Sequence, residues 1–154
     1  MKYLVTISLI LLLSGCITCN KDDCIQPPDP FNFKIIDKDS REDLVFSINA
    51  IYHPDSIRLF YFQGEEKIDL PLQKTTTKYE YYALSNQILP YVSSIEIIKD
   101  FYLQLNYLDT DTLLIDVRQI NFECCMVFEY AQSYINGSVL KRSPTDYTVF
   151  LVEK

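Results

Sequence analysis

The chain has 154 residues, 48% hydrophobic, 23% charged and 14% aromatic, a balance that supports a buried core and excludes disorder along the whole length. Fourteen Lys and Arg stand against 21 Asp and Glu, for a formal net charge of −7, so the basic stripe that phosphate neutralisation needs is missing and no nucleic-acid partner is expected. Three Gly and one His leave little material for a phosphate-cradling loop and none for a multi-histidine metal centre, so no cofactor and no metal are expected either.

Lys2 precedes an apolar run from Leu4 to Leu13, interrupted only by Thr6 and Ser8. This is the layout of a secretory signal peptide, and it is too short to span a bilayer. The run closes in Leu13-Ser14-Gly15-Cys16, which matches the bacterial lipobox: two small residues admit the signal peptidase, and the Cys thiol receives diacylglycerol. Residues 1–15 are therefore read as the signal peptide and Cys16 as the lipidated residue, palmitate-type chains holding the protein to a membrane at roughly 0.8 kcal/mol per buried methylene. Removing Lys2 takes the net charge to −8; such a surface repels anionic lipid, so the acyl chains must do the anchoring.

Lys21-Asp22-Asp23 follows shortly after and resembles the export signal of surface-exposed lipoproteins in the Bacteroidota. The resemblance covers about the first 23 residues and implies an outer-membrane lipoprotein displayed at the cell surface, with the periplasmic side as the other placement. Asn20, Asp22, Asp23, Pro27, Pro28 and Pro30 favour extended, solvated backbone, which makes residues 16–30 a flexible tether.

From Phe31 onward the apolar period is two. Phe31, Phe33 and Ile35 alternate with Asn32, Lys34 and Ile36; Ile57, Leu59 and Tyr61 with Arg58, Phe60 and Phe62; Phe101, Leu103, Leu105 and Tyr107 with Tyr102, Gln104, Asn106 and Leu108. Leu113, Ile115 and Val117 continue the habit, as do Tyr147, Val149 and Leu151. These are strands. Turn chemistry separates them at His53-Pro54-Asp55-Ser56, Gln63-Gly64-Glu65-Glu66, Leu108-Asp109-Thr110-Asp111 and Arg142-Ser143-Pro144-Thr145. Asn136-Gly137, between Val127 to Ile135 and Val139-Leu140, is the strongest hairpin signal. Pro90-Tyr91-Val92 suits one short helical turn. The expected domain, residues 31–154, is an all-β fold: a single antiparallel β-sandwich, immunoglobulin-like or related, of about seven to nine strands.

With Cys16 given to lipid, Cys19, Cys24, Cys124 and Cys125 remain. An exported compartment permits disulfides. Adjacent side chains on a strand point to opposite faces, so one of Cys124 and Cys125 faces the core and the other is free to meet Cys24 or Cys19, stapling the N-terminal segment to a late strand. A vicinal Cys124-Cys125 bridge needs a distorted turn, and unpaired thiols are the remaining alternative. Zinc is disfavoured because an adjacent pair lacks the spacing that brings two sulfurs to one tetrahedral ion.

His53 lies in a turn with no nucleophile-elbow sequence beside it, and Asp109 with Asp111 or Glu65 with Glu66 are the available carboxylate pairs, suited to glycosidase chemistry or calcium but equally to solvated hairpins. No catalytic residue is assigned. The aromatic excess, 12 Tyr and 9 Phe without Trp, concentrates at Tyr79, Tyr81 and Tyr82. On one strand Tyr79 and Tyr81 share a face and Glu80 and Tyr82 the other, making these three Tyr the candidate ligand contacts, for a glycan or an envelope protein. The resulting expectation is a lipid-anchored, surface-exposed, non-catalytic binding or accessory module, similar to the small Bacteroidota lipoproteins of unknown function. The alternatives are a small extracytoplasmic hydrolase and a structural subunit or inhibitor of another envelope protein.

Overall fold

The computed structural model describes residues 24–79, 81–122 and 125–154; the signal segment, Cys16, Cys19, the Lys21-Asp22-Asp23 triplet, Glu80 and Cys124 lie outside these. The strands are β1 (Phe31–Ile36), β2 (Arg58–Gln63), β3 (Glu66–Leu70), β4 (Gln73–Thr76), β5 (Tyr82–Asn86), β6 (Asp100–Asn106), β7 (Asp109–Leu114), β8 (Val117–Phe122), β9 (Cys125–Tyr130), β10 (Tyr134–Ile135), β11 (Ser138–Val139), β12 (Lys141–Arg142) and β13 (Val149–Glu153), with helix α1 (Leu89–Ile95) between β5 and β6. They form an all-β sandwich of a five-stranded sheet, ordered β12-β13-β1-β5-β4, and a six-stranded sheet, ordered β11-β10-β7-β6-β2-β3, with β8 and β9 paired as a separate hairpin.

Inward positions follow the period of two. Phe31, Phe33 and Ile35 of β1, Leu59 of β2, and Phe101, Leu103 and Leu105 of β6 have no solvent exposure, and Phe150 and Val152 of β13 join them in one core. Burying each such side chain contributes about 1.5–3 kcal/mol, which outweighs the weak strand preference of Asn32 and Lys34 between them.

Among the described residues thirteen strands replace the expected seven to nine, because long alternating runs break where the chain changes sheet. Leu113 to Val117 is divided at Ile115-Asp116, and Val127 to Ile135 at Ala131 to Ser133, so that β9 and β10 belong to different sheets. Both edges of the sandwich are crossed by chain: β3 passes through Pro71-Leu72 into β4, and β11 through buried Leu140 into β12. These corners connect the edge strands of the two sheets and limit the open edge available for unwanted pairing. The pairings between these strands are antiparallel except that β13 returns parallel to β1, and an isolated bridge joins Ile25 parallel to Met126.

Local chemistry sets the turns. Asn136 and Gly137 both take positive φ, 48° and 77°, the signature of a type I′ hairpin, and here they join β10 to β11. Gly64, at φ 63°, holds the first central position between β2 and β3. Buried Asn86 ends β5: its Oδ1 accepts from the N–H groups of Ile88 and Leu89, at 3.0 and 2.6 Å, while its Nδ2 donates to the Pro71 carbonyl at 2.7 Å. That capping starts α1, two turns where one was expected.

Ile97 follows the helix at φ 61° and is 74% exposed. A β-branched residue in the left-handed region is strained by about 1–2 kcal/mol, and this side chain gains little burial in return. Ile97→Gly is therefore expected to stabilise the fold by about 0.5–1 kcal/mol, part of the relief being offset by glycine's greater freedom when unfolded. A thermal melt checks this; an unchanged or lower midpoint would contradict it.

Candidate functional site

Cys24 and Cys125 form a disulfide across 101 residues of sequence, the staple from N-terminal segment to late strand expected above. Around it Met126 N–H donates to the Cys24 carbonyl at 2.8 Å, and Gln26 N–H donates to the Met126 carbonyl at 3.0 Å. The Tyr130 hydroxyl donates to the Asp29 carbonyl at 2.9 Å. Burial, with Asp29 nearby, pushes the Tyr130 phenol well above its ordinary range. Residues 24–30, which composition puts in the tether, thus run along β9.

Asp109 and Asp111 do not sit in a turn. The turn is Tyr107-Leu108, and the two aspartates lie on β7, where alternate residues share a face. Both point inward, toward Lys154 beyond β13 in the other sheet. The Lys154 ammonium donates to Asp109 Oδ1 at 2.8 Å and Asp111 Oδ1 at 2.8 Å; Asp111 Oδ2 is also 2.8 Å away, held by charge without hydrogen-bond geometry. Asn136 Nδ2 donates to Asp111 Oδ1 at 2.6 Å, and the Tyr52 hydroxyl donates to Asp109 Oδ2 at 3.3 Å. The cation held by this carboxylate pair, weighed above as a calcium site, is a lysine. Burial lowers the Lys154 pKa but the hydrogen bonds to both aspartates outweigh it, leaving it above its ordinary value.

His53 is exposed at the start of the 3₁₀ turn Pro54–Ser56, where its Nδ1 accepts from the Asp55 N–H at 3.3 Å. Its nearest charged partner is Asp55, at 3.7 Å. That is a capping role. Among the described residues no three His, Cys, Asp or Glu side chains gather to hold a metal ion, and no helix is long and apolar enough to cross a membrane.

The three candidate tyrosines lie at the β4–β5 turn, only Tyr82 within a strand. Tyr79 stacks on Tyr81 with ring centroids 6.4 Å apart. The Tyr81 hydroxyl is 2.9 Å from Thr145 Oγ1, and Lys34 Nζ lies 4.5 Å from its ring centroid. Together with Lys34, Arg41, Ser143 and Thr145 it lines a shallow cleft of about 280 Å³. Tyr82 lies on the other side, against Phe46 and under Lys74. Tyr81 is thus the one of the three held within the protein, while Tyr79 and Tyr82 remain 53% and 45% exposed on opposite sides of the turn.

A larger aromatic group lies on the outer face of the six-stranded sheet. Phe60 pairs across strands with Tyr102, and their rings stack at 5.3 Å; with Lys67 Nζ 4.0 Å from its ring centroid, Phe60 is only 8% exposed. Phe62 stands edge-on to both, at 5.7 and 5.4 Å. Register continues the apolar surface through Leu114, Tyr134 and Val139, since Tyr134 pairs with both Leu114 and Val139. The sequence carried the signal: Phe60 and Phe62 share the parity of Arg58, and Tyr102 that of Gln104, so all three face outward with those polar residues.

No protein-family model matches the chain, and no curated protein and no solved structure matches it significantly.

Proposed function

We propose that the chain is a lipid-anchored, surface-exposed, non-catalytic binding module of the bacterial cell envelope. The observation that carries the reading is the outer face of the six-stranded sheet, where exposed Phe62, Leu114 and Val139 and half-buried Tyr102 and Tyr134, with Phe60 buried beneath Lys67 as their base, form a joined set outside the core cluster. A sheet filled on one side by core residues holds such side chains rigidly, so a ligand meets a surface already in its bound shape. Aromatic rings displayed this way supply apolar contact area at low entropic cost. Tyr79, stacked on Tyr81, is a smaller second contact. Anchoring rests on the lipobox at Cys16, and display on the Lys21-Asp22-Asp23 triplet.

The anchoring part is tested in cells. Cys16→Ala is expected to abolish incorporation of labelled palmitate and to release the chain from the membrane fraction, whereas label retained by the variant sinks the assignment. Protease added to intact cells is expected to degrade the wild-type chain; protection would put the domain on the periplasmic side.

A further inference from the structure

We infer that the outer face of the six-stranded sheet binds a linear, uncharged polysaccharide laid across the strands. The inference rests on the binding-module reading and names its ligand class. Register lines up the outward side chains. Val139, Tyr134, Leu114 and Asp100 form one row, which Phe62 and Lys67 continue; Thr112, Tyr102, Phe60 and Asp69 form the next, and Thr110, Gln104 and Arg58 the one beyond. The apolar members trace a stripe over five strands, from β11 to β2, that steps around Asp100 by way of Tyr102 and is about 19 Å long at roughly 4.8 Å per strand.

The width of the stripe decides the occupant. A stable protein interface takes roughly 800 Å² and 20–30 residues per partner, apolar at its centre, but this stripe is a single side chain wide on β11, β10 and β7, widens only where Phe60, Phe62 and Tyr102 pack together, and is flanked by polar groups. A protein seated there would desolvate Asp69, Asp100, Arg58 and Gln104. A sugar chain is itself one ring wide: its pyranose faces present C–H groups to aromatic rings, and its hydroxyls reach donors and acceptors at the sides, which here are Gln104, Thr110, Thr112 and Asp100. Charge selects a neutral chain. On this face Lys67 is paired with Asp69 at 3.3 Å and Arg58 offsets Asp100, so no positive excess draws a polyanion, and the whole chain, at −7, repels one.

The test is a pull-down of the purified lipidated protein, in detergent, on cellulose, chitin, insoluble xylan and insoluble mannan, with immobilised polygalacturonate as the anionic contrast. Retention by at least one neutral polymer is expected, with about tenfold weaker association for Phe62→Ala and for Tyr102→Ala, near-normal association for Tyr102→Phe, and no change for Tyr147→Ala, an exposed aromatic away from this sheet. Melting curves confirm that each variant is folded. Retention on polygalacturonate alone, or retention indifferent to both alanine variants, overturns the inference. A photoreactive phenylalanine placed at position 62 on intact cells separates the remaining cases: no retention with a cross-link to an envelope protein overturns the polysaccharide and leaves the binding module standing, while no retention and no cross-link overturns both.

Discussion

Reducing the Cys24–Cys125 disulfide, or replacing both cysteines by Ser, is expected to lower the unfolding free energy by about 3–5 kcal/mol. The bridge closes 101 residues, and in the chain-entropy account a loop of that size restricts the unfolded chain by nearly 5 kcal/mol, native bridges in small exported domains contributing about 2–5. Locally it holds residues 24–30, whose few hydrogen bonds to β9 are each worth about 1 kcal/mol. Ordering seven residues of backbone costs about 1–2 kcal/mol apiece, so the segment does not stay docked on those bonds alone. Two readouts follow. The guanidinium midpoint falls on adding reductant, with a thermal midpoint lower by about 10 °C, and the amides of Gln26 and Met126 exchange quickly in conditions where the core remains protected. A midpoint indifferent to reductant would mean that the staple contributes nothing.

The fold was legible wherever one face of a strand is buried and the other is wet. Phe31, Phe33 and Ile35, or Phe101, Leu103 and Leu105, declare their face by period alone, and Asn136-Gly137 declares its hairpin because few other residues accept two consecutive positive φ angles. Strand breaks were not legible. Ile115 keeps the inward parity of Leu113 while the chain leaves one sheet, and the break at Asp116 is spanned by buried Ser93, whose Oγ donates to the Ile115 carbonyl at 2.8 Å and accepts from the Val117 N–H at 3.0 Å, contacts that local pattern does not encode. Asp109 and Asp111 read as a solvated turn because a carboxylate on an inward position makes sense only once its cation is known, and Lys154 lies 43 residues beyond Asp111. The candidate site moved for a related reason. A Tyr cluster in sequence marks aromatic density, whereas a binding face is assembled across strands, and the pairing of Phe60 with Tyr102 joins β2 to β6 over a long connection that period cannot see.

Lys154→Met is expected to cost about 2–3 kcal/mol, a large effect for one side chain that is still partly wet. Removing one partner of a fully buried ion pair costs about 3–5 kcal/mol because the other charge is left uncompensated. Here Asp111 is nearly sealed, with 4% side-chain exposure, while Asp109 retains 33% and Lys154 18%, so water recovers part of the loss. The variant also leaves two carboxylates on one strand face without their shared cation, and the Asn136 amide bound to Asp111 becomes the remaining described polar side-chain contact of that carboxylate. The pH dependence identifies the cause. Folding raises the Lys154 pKa above its ordinary 10.5, so its stabilisation is fully present below that pH and disappears as pH rises through the raised value. Tyr52, whose phenol is pushed up by burial and by Asp109 and held down by Lys154, loses stabilisation in the same alkaline direction, starting from its ordinary 10.0, and Lys154→Met changes that titration as well. The comparison is therefore made in a Tyr52→Phe background, where the difference between Lys154 and Lys154→Met, measured by denaturant titration across the alkaline range, isolates the lysine: it should be constant at neutral pH and shrink above 10.5. Adding Asp111→Asn to Lys154→Met should return part of the lost stability, since a neutral amide keeps the shape and removes the stranded charge. A double variant as unstable as the sum of the two single changes would show that Lys154 acts by packing its methylenes between the sheets and not by joining them through charge.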